Sequence, residues 1–251
     1  MFDGEFVFSH SPSRPHTYLA YDCVMYDGVP CNRDTLVNRL ANITKAVTLF
    51  RAAVARQGAT FSPVFTFLGK TFKPKNEVAS LLTCISSEHG KRVYREVRNG
   101  ASRANYNDGL IFTPNDGGYM APILKFKWIE KQTVDFAAGR ITSLPSSSSS
   151  LSSANNSSKG VLHEVELSCN GVNKPITTAV VSDQQLAEVK ERLRQGNIVE
   201  CRYLRDQGFW DIVGFRPDKT VANYITTVFD TLLCIVDDIR EQDLVEACKQ
   251  P

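Results

Sequence analysis

The most informative features of this 251-residue sequence are first the ones it does not hold. Its seven cysteines form no Cys-x-x-Cys pair and keep no zinc-ligand spacing with its four histidines. That excludes a zinc-finger scaffold. Without a signal peptide, such cysteines read as reduced thiols of a cytosolic or nuclear protein. No apolar run approaches membrane-spanning length, so no membrane contact is expected. There is no His-Glu-x-x-His, no Walker loop and no dinucleotide glycine fingerprint, which removes the zinc protease, P-loop and Rossmann readings. Charge of one sign is scarce too: 29 Lys and Arg stand against 27 Asp and Glu, for a formal net charge of +2. A bulk nucleic-acid coat is therefore excluded, and any RNA work falls to local patches.

What is present reads as globular. Hydrophobic residues make up 42% and charged residues 22%, enough to build one large domain or two small ones. The chain is organised around Asn107–Phe136. Two apolar runs, Leu110–Phe112 and Ile123–Phe126, flank the turn-rich Asn115-Asp116-Gly117-Gly118. This predicts two strands and a tight connection. Asp108 opens the first strand. Lys125 and Lys127 alternate with Leu124, Phe126 and Trp128 on the second, which puts both ammonium groups on one face. Two like charges beside a carboxylate repel unless an anion such as phosphate sits between them. A solvated strand face is the plain alternative.

These residues carry a resemblance. Asp108-Gly109-Leu110-Ile111-Phe112, then Leu124-Lys125-Phe126-Lys127-Trp128 with Thr133-Val134-Asp135-Phe136, resemble motifs IV and V of eukaryotic mRNA capping enzyme guanylyltransferases. These are relatives of the ATP-dependent polynucleotide ligases within the covalent nucleotidyltransferases. Asp3-Gly4-Glu5 before an apolar strand resembles motif III. Tyr18–Asp22 resembles motif IIIa, with Tyr21 in the place of the aromatic that stacks on the purine; a buried strand aromatic is the other reading of Tyr21. Lys70-Thr71-Phe72 matches the family's Lys-x-Phe, whose lysine contacts the guanine. Arg216-Pro217-Asp218-Lys219 resembles the core of motif VI. Two positions depart: Gly214 stands where the family usually has an arginine, and Ala222 where it has a proline.

Between the motifs, Asn32–Gly58 predicts a helix with Leu36, Leu40, Ile43, Val47, Phe50 and Val54 on one stripe. Phe61–Lys73 is strand-like. Pro74 opens a second predicted helix that ends near Gly90. Ser143–Ser158, nearly all Ser, Asn and Pro, cannot bury enough apolar surface to offset its ordering entropy and is expected to be a disordered insertion. Strand patterns at Ile129–Phe136, Val161–Cys169, Ile176–Val181, Asn197–Leu204 and Phe209–Phe215 surround one helix, capped by Ser182 with Gln185. Short strands around one interior helix suit an OB-type barrel. Closing helices follow, with Val221, Ile225, Val228, Leu232 and Ile235 on one side.

The expected class is thus α+β. Residues 1–128 read as the C-terminal part of a ligase-type (ATP-grasp-like) nucleotidyltransferase domain with an antiparallel sheet. Residues 129–251 read as an OB-fold domain with the Ser-rich insertion and C-terminal helices. The resemblance implies transfer of GMP from GTP, through a lysyl–GMP intermediate, to the 5′-diphosphate end of RNA. It implies Mg²⁺ or Mn²⁺ held by Glu5 and Asp108, and the α-phosphate met by Lys125 and Lys127. It further implies that Arg216 and Lys219 close on the β- and γ-phosphates with Asp218 orienting them. It also implies a nuclear location and the RNA polymerase II C-terminal tail as a candidate partner. The family nucleophile lies in a Lys-x-Asp-Gly motif, and none occurs in these 251 residues; the chain is expected to start at motif III and to be inactive alone. An ATP-using polynucleotide ligase fragment and a non-catalytic OB-fold module that binds RNA or polymerase are the alternatives.

Overall fold

A computed structural model describes residues 1–7, 16–58, 61–98, 101–144, 161–194 and 196–249. Most of the Ser-rich run, from residue 145 onward, lies outside the described residues. The chain divides into two compact units, residues 1–126 with 241–251, and residues 127–240. Among the described residues no helix is long and apolar enough to cross a membrane.

In the first unit, β1 (Phe2–Val7), β2 (His16–Cys23), β3 (Met25–Tyr26) and β4 (Val29–Pro30) precede helix α1 (Leu36–Arg56) and β5 (Phe65–Gly69). The main sheet runs β1-β2-β5. β1 pairs antiparallel with β2, but β2 pairs parallel with β5. The sheet is therefore mixed and not antiparallel throughout. The cause is topological: α1 carries the chain from β2 to β5, the kind of crossover that parallel pairing needs. At Gly4 a Cβ would lie 2.6 Å from the Leu19 carbonyl oxygen, so the bulge between Asp3 and Gly4 needs glycine.

Helix α1 starts at Leu36, later than Asn32. Its first N–H donates to the Asn115 carbonyl (2.9 Å), so a tertiary bond sets the start. The predicted helix from Pro74 to Gly90 is instead a 3₁₀ turn, a short α2 (Val78–Leu82) and a strand, β6 (Ile85–Glu88). Ser86 and Ser87 are modest helix formers, and His89 and Gly90 both take positive φ, the pattern of a two-residue hairpin turn. β6, β7 (Lys91–Arg98) and β8 (Ala101–Tyr106) form a separate sheet. β9 (Gly109–Phe112) pairs with β10 (Leu124–Lys127). Their connection, Thr113 to Ile123, is not a tight turn. It folds back on the segment before α1, where Tyr119 N–H donates to the Asn32 carbonyl (2.7 Å).

One buried cation ties these pieces together. Arg39 of α1 is fully buried. It donates to both oxygens of Asp22 on β2 (2.7 and 3.1 Å), to the Asp34 carbonyl, and to the Gly117 carbonyl in the β9–β10 connection (2.8 Å). Such a fork holds only because every partner oxygen is in place.

The second unit is a closed barrel. β11 (Thr133–Ser143), β12 (Leu162–Ser168), β13 (Thr177–Ser182), helix α3 (Asp183–Leu193), β14 (Ile198–Leu204) and β15 (Phe209–Phe215) follow in sequence. Around the barrel the order is β11-β12-β13-β15-β14, with β13 and β15 parallel. A five-stranded barrel with its helix between the third and fourth strands is the OB arrangement. Alternation fills it: Phe136, Val165, Leu167, Val181, Val199 and Trp210 are buried, and Phe136 meets Trp210 edge-on at 5.0 Å. Ser182 and Gln185 form the predicted reciprocal cap of α3. Helix α4 (Ile225–Asp237) follows. Helix α5 (Glu241–Lys249) belongs with the first unit and packs on α2.

Replacing Arg39 with Ala leaves Asp22 buried without its cation. We expect it to destabilise the first unit by about 3–5 kcal/mol in urea unfolding and to leave the barrel's transition in place. A loss under ~1 kcal/mol, the size of an exposed pair, would remove Arg39 from this role.

Candidate functional site

The β1-β2-β5 pairing brings together three residues that are far apart in sequence. Glu5 lies on β1, Tyr21 on β2, and Lys70 just after β5, its N–H donating to the Ala20 carbonyl (2.7 Å). Lys70 Nζ sits 3.1 Å from Glu5 Oε1 and 5.6 Å from the Tyr21 ring centroid. A half-buried aromatic with a cation over its face and a carboxylate beside it can hold a planar base by stacking and hydrogen bonding.

Two further residues support Tyr21 that sequence reasoning did not single out. Tyr119 donates its hydroxyl to Asp3 Oδ2 (2.7 Å), and Asp3 also stands against the Tyr21 phenol. Burial first, then hydrogen bonding to Asp3, push the Tyr21 phenol up to about 12. Asp3 lies on β1, at the bulge before Gly4; nothing in the local pattern marks Tyr119, which arrives from the β9–β10 connection.

On β10, Lys125 and Lys127 are exposed on either side of buried Phe126, so they share a face as the alternation requires. Asp108 immediately precedes β9, the strand paired with β10. Among the described residues no group of three or more His, Cys, Asp or Glu could hold a metal ion. Glu5 and Asp108 are thus carboxylates outside any closed cage. Glu5 is paired with Lys70 (3.1 Å); carboxylate oxygens are the ligand type Mg²⁺ takes, commonly one or two with phosphate and water completing its shell.

In the second unit the organising group is Asp135, near the start of β11 and also absent from the sequence-based site. Its buried carboxylate accepts from Arg216 Nη1 (3.1 and 3.2 Å) and from Lys219 Nζ. Its backbone is clamped by Asn223: Asp135 N–H donates to Asn223 Oδ1 (2.7 Å), and Asn223 N–H donates to the Asp135 carbonyl (2.8 Å). Arg216 spends its other edge on Asp218, at 3.0 and 2.9 Å. That hydrogen-bonded pair raises the Arg216 guanidinium and lowers the Asp218 carboxyl from their ordinary values. Arg216, Lys219, Asp135 and Asp218 together are electrically neutral. Asp218 is the exposed member, and an incoming phosphate can displace it more readily than Asp135. Gly214 pairs with Glu200 across the sheet, and a Cβ there would meet Glu200 Oε2 at 3.4 Å.

Comparison with known proteins bears on both units. The mRNA capping enzyme, C-terminal domain, matches residues 131–245, which takes in the barrel and the Asp135 cluster. The chain is similar to mRNA capping enzymes over nearly its whole length. The mRNA-capping enzyme subunit alpha of Schizosaccharomyces pombe is 28% identical across 98% of this chain and 59% of its own length. The same subunit from Yarrowia lipolytica is 25% identical across 98% and 61%; that of Saccharomyces cerevisiae is 25% identical across 98% and 59%. The chain therefore spans about three fifths of these capping enzymes. A solved Chlorella virus DNA ligase-adenylate aligns with 86% of this chain and 76% of its own, at a TM-score of 0.30 and 13% identity, too loose a superposition to bear on fold or function.

The Tyr21 environment has a pH signature. A phenol raised in the folded state lends stability that is complete below the ordinary value of 10.0 and is lost as pH rises through about 12. In alkaline difference spectra of the intact chain against Tyr21→Phe, the missing tyrosine should titrate near 12. Ionisation at 10 would mean that Tyr21 is freely solvated and unsupported by Asp3.

Proposed function

We propose that this chain carries the base- and phosphate-binding parts of an mRNA guanylyltransferase, which transfers GMP from GTP to the 5′-diphosphate end of RNA. The observation that supports this most is the capping-enzyme match over residues 131–245, the barrel in which Arg216 and Lys219 share one buried carboxylate. A lysine amine attacks the α-phosphorus of GTP, a nitrogen–phosphorus bond forms, and pyrophosphate leaves. The terminal phosphate oxygen of the RNA then attacks the same phosphorus, the lysine departs, and a 5′–5′ triphosphate bridge results.

Each residue has a part. Tyr21 stacks on the guanine and Lys70 meets its edge. Lys125 and Lys127 neutralise charge that builds on the α-phosphate during in-line displacement, where a fixed cation acts most strongly. Arg216 and Lys219 take the β- and γ-phosphates, with Asp218 yielding its contacts as they bind. Glu5 and Asp108 would hold Mg²⁺ or Mn²⁺, which supplies further neutralisation of the phosphates. The nucleophile belongs to a Lys-x-Asp-Gly motif that these residues do not include. Work on nascent messenger RNA implies a nuclear location, with the RNA polymerase II tail as a partner.

The test is nucleotide labelling of the chain fused in frame behind a capping-enzyme segment that carries Lys-x-Asp-Gly. GTP should label the fusion and ATP should not. Lys127→Ala should lower labelling by about 10²-fold or more, the scale of one transition-state charge contact. Labelling by ATP alone would make the chain ligase-like, and normal labelling of the Lys127→Ala fusion would leave Lys127 as a surface residue.

A further inference from the structure

Helix α4 follows the barrel and buries Val228 and Ile235. An adjoining side is apolar as well, about a quarter to a third of a turn round from that stripe. Phe229, Leu233 and Val236 are 59%, 59% and 66% exposed. They stand at i, i+4 and i+7, so they form one row along the helix. Isolated exposed apolar residues need no explanation, but a row of three large ones on one helix does.

The charge beside that row has one sign. Asp230 and Asp237 are exposed, lie seven residues apart, and each follows a member of the row, so they run as a second row alongside it. Ile225–Asp237 contains no Lys or Arg. The nearby Asp238 is already ion-paired, with Arg240 at 3.0 Å and Arg205 at 3.6 Å. Within Ile225–Asp237 the surface is thus an apolar ridge with an acidic border and no cation.

We infer that this face of α4 docks a basic amphipathic helix of a protein partner. Apolar anchors spaced i, i+4 and i+7 suit helix-on-helix recognition, and the acidic row selects a partner whose polar edge carries Lys or Arg. A second copy of this chain fits poorly. Two α4 helices packed on these faces would bring four aspartates together with no cation from either helix.

The probe is a helical leucine–lysine peptide of roughly 18 residues, long enough to hold a helix, with a leucine–glutamate peptide of the same apolar pattern beside it. Both are titrated with the intact chain at low salt by fluorescence anisotropy. The lysine peptide should bind at least about tenfold more tightly than the glutamate peptide. Phe229→Ser combined with Leu233→Ser should weaken the lysine peptide by about tenfold or more. Asp230→Asn with Asp237→Asn should narrow the gap between the two peptides. The comparison on the unaltered chain needs no variant, so a misfolded variant cannot decide the outcome. Equal binding of the two peptides, or lysine-peptide binding that ignores the Phe229 and Leu233 substitutions, would overturn the inference. A concentration-dependent dimer in sedimentation velocity that those substitutions abolish would also overturn it, because a second copy would then be the occupant.

Discussion

One end of the barrel depends on one desolvated carboxylate. Asp135 sits where β11 begins, and its side chain is 8% exposed. An isolated carboxylate at such a site costs several kcal/mol, on the order of the effective penalty for a buried ion. Arg216 and Lys219 offset that cost from the loop after β15, and Asn223 locks the backbone on either side. The demand of Asp135 for cations therefore fixes where the two cations stand. A pair of positive side chains on a surface loop would otherwise repel each other and sample many rotamers. Held on a common anion, they are fixed in place, as the proposed phosphate contacts require.

The first unit solves a related problem with the signs reversed. There the buried group is the cation Arg39, and carboxylate and carbonyl oxygens converge on it from β2, the α1 entrance and the β9–β10 connection. This clamp holds the strand that bears Tyr21 and the loop that brings Tyr119 to Asp3. Rigidity at Tyr21 thus comes from a bond network whose centre is one residue along at Asp22. In the role proposed for Tyr21, such support orders the ring before a base arrives.

Much of this was legible in the sequence because it is local. The barrel strands show in the pattern, and Phe209–Phe215 emerges with the same bounds, but the first, read as Ile129–Phe136, runs Thr133–Ser143 after a 3₁₀ turn. The Ser182–Gln185 cap and the α1 stripe follow from spacing alone. The motif resemblance named Glu5, Tyr21 and Lys70 one by one, and the sheet brings them within contact. What escaped was non-local. The parallel β2–β5 pairing depends on where a crossover helix delivers the chain. The segment after Pro74 reads as one helix because Val78, Leu81, Leu82 and Ile85 satisfy a helical stripe, and that reading fails because the His89-Gly90 turn makes its second half a hairpin strand. Asp135 and Arg39 look like surface charges in sequence. Only the partners that fold onto them, 81 and 17 residues away, make them central.

The central claim is that these residues prepare GTP for attack by a lysine they do not themselves contain. Peptide mapping by mass spectrometry tests it most directly, on the unaltered chain and on the fusion bearing Lys-x-Asp-Gly, each incubated with GTP and Mg²⁺. Near-attack placement of a nucleophile is worth roughly 7–11 kcal/mol of barrier, and the role proposed for Lys125 and Lys127 is contact with the phosphate, not attack on it. The account predicts a GMP adduct on the fusion alone, at the lysine of the added motif. A stoichiometric GMP adduct on any lysine between Met1 and Pro251 would contradict it.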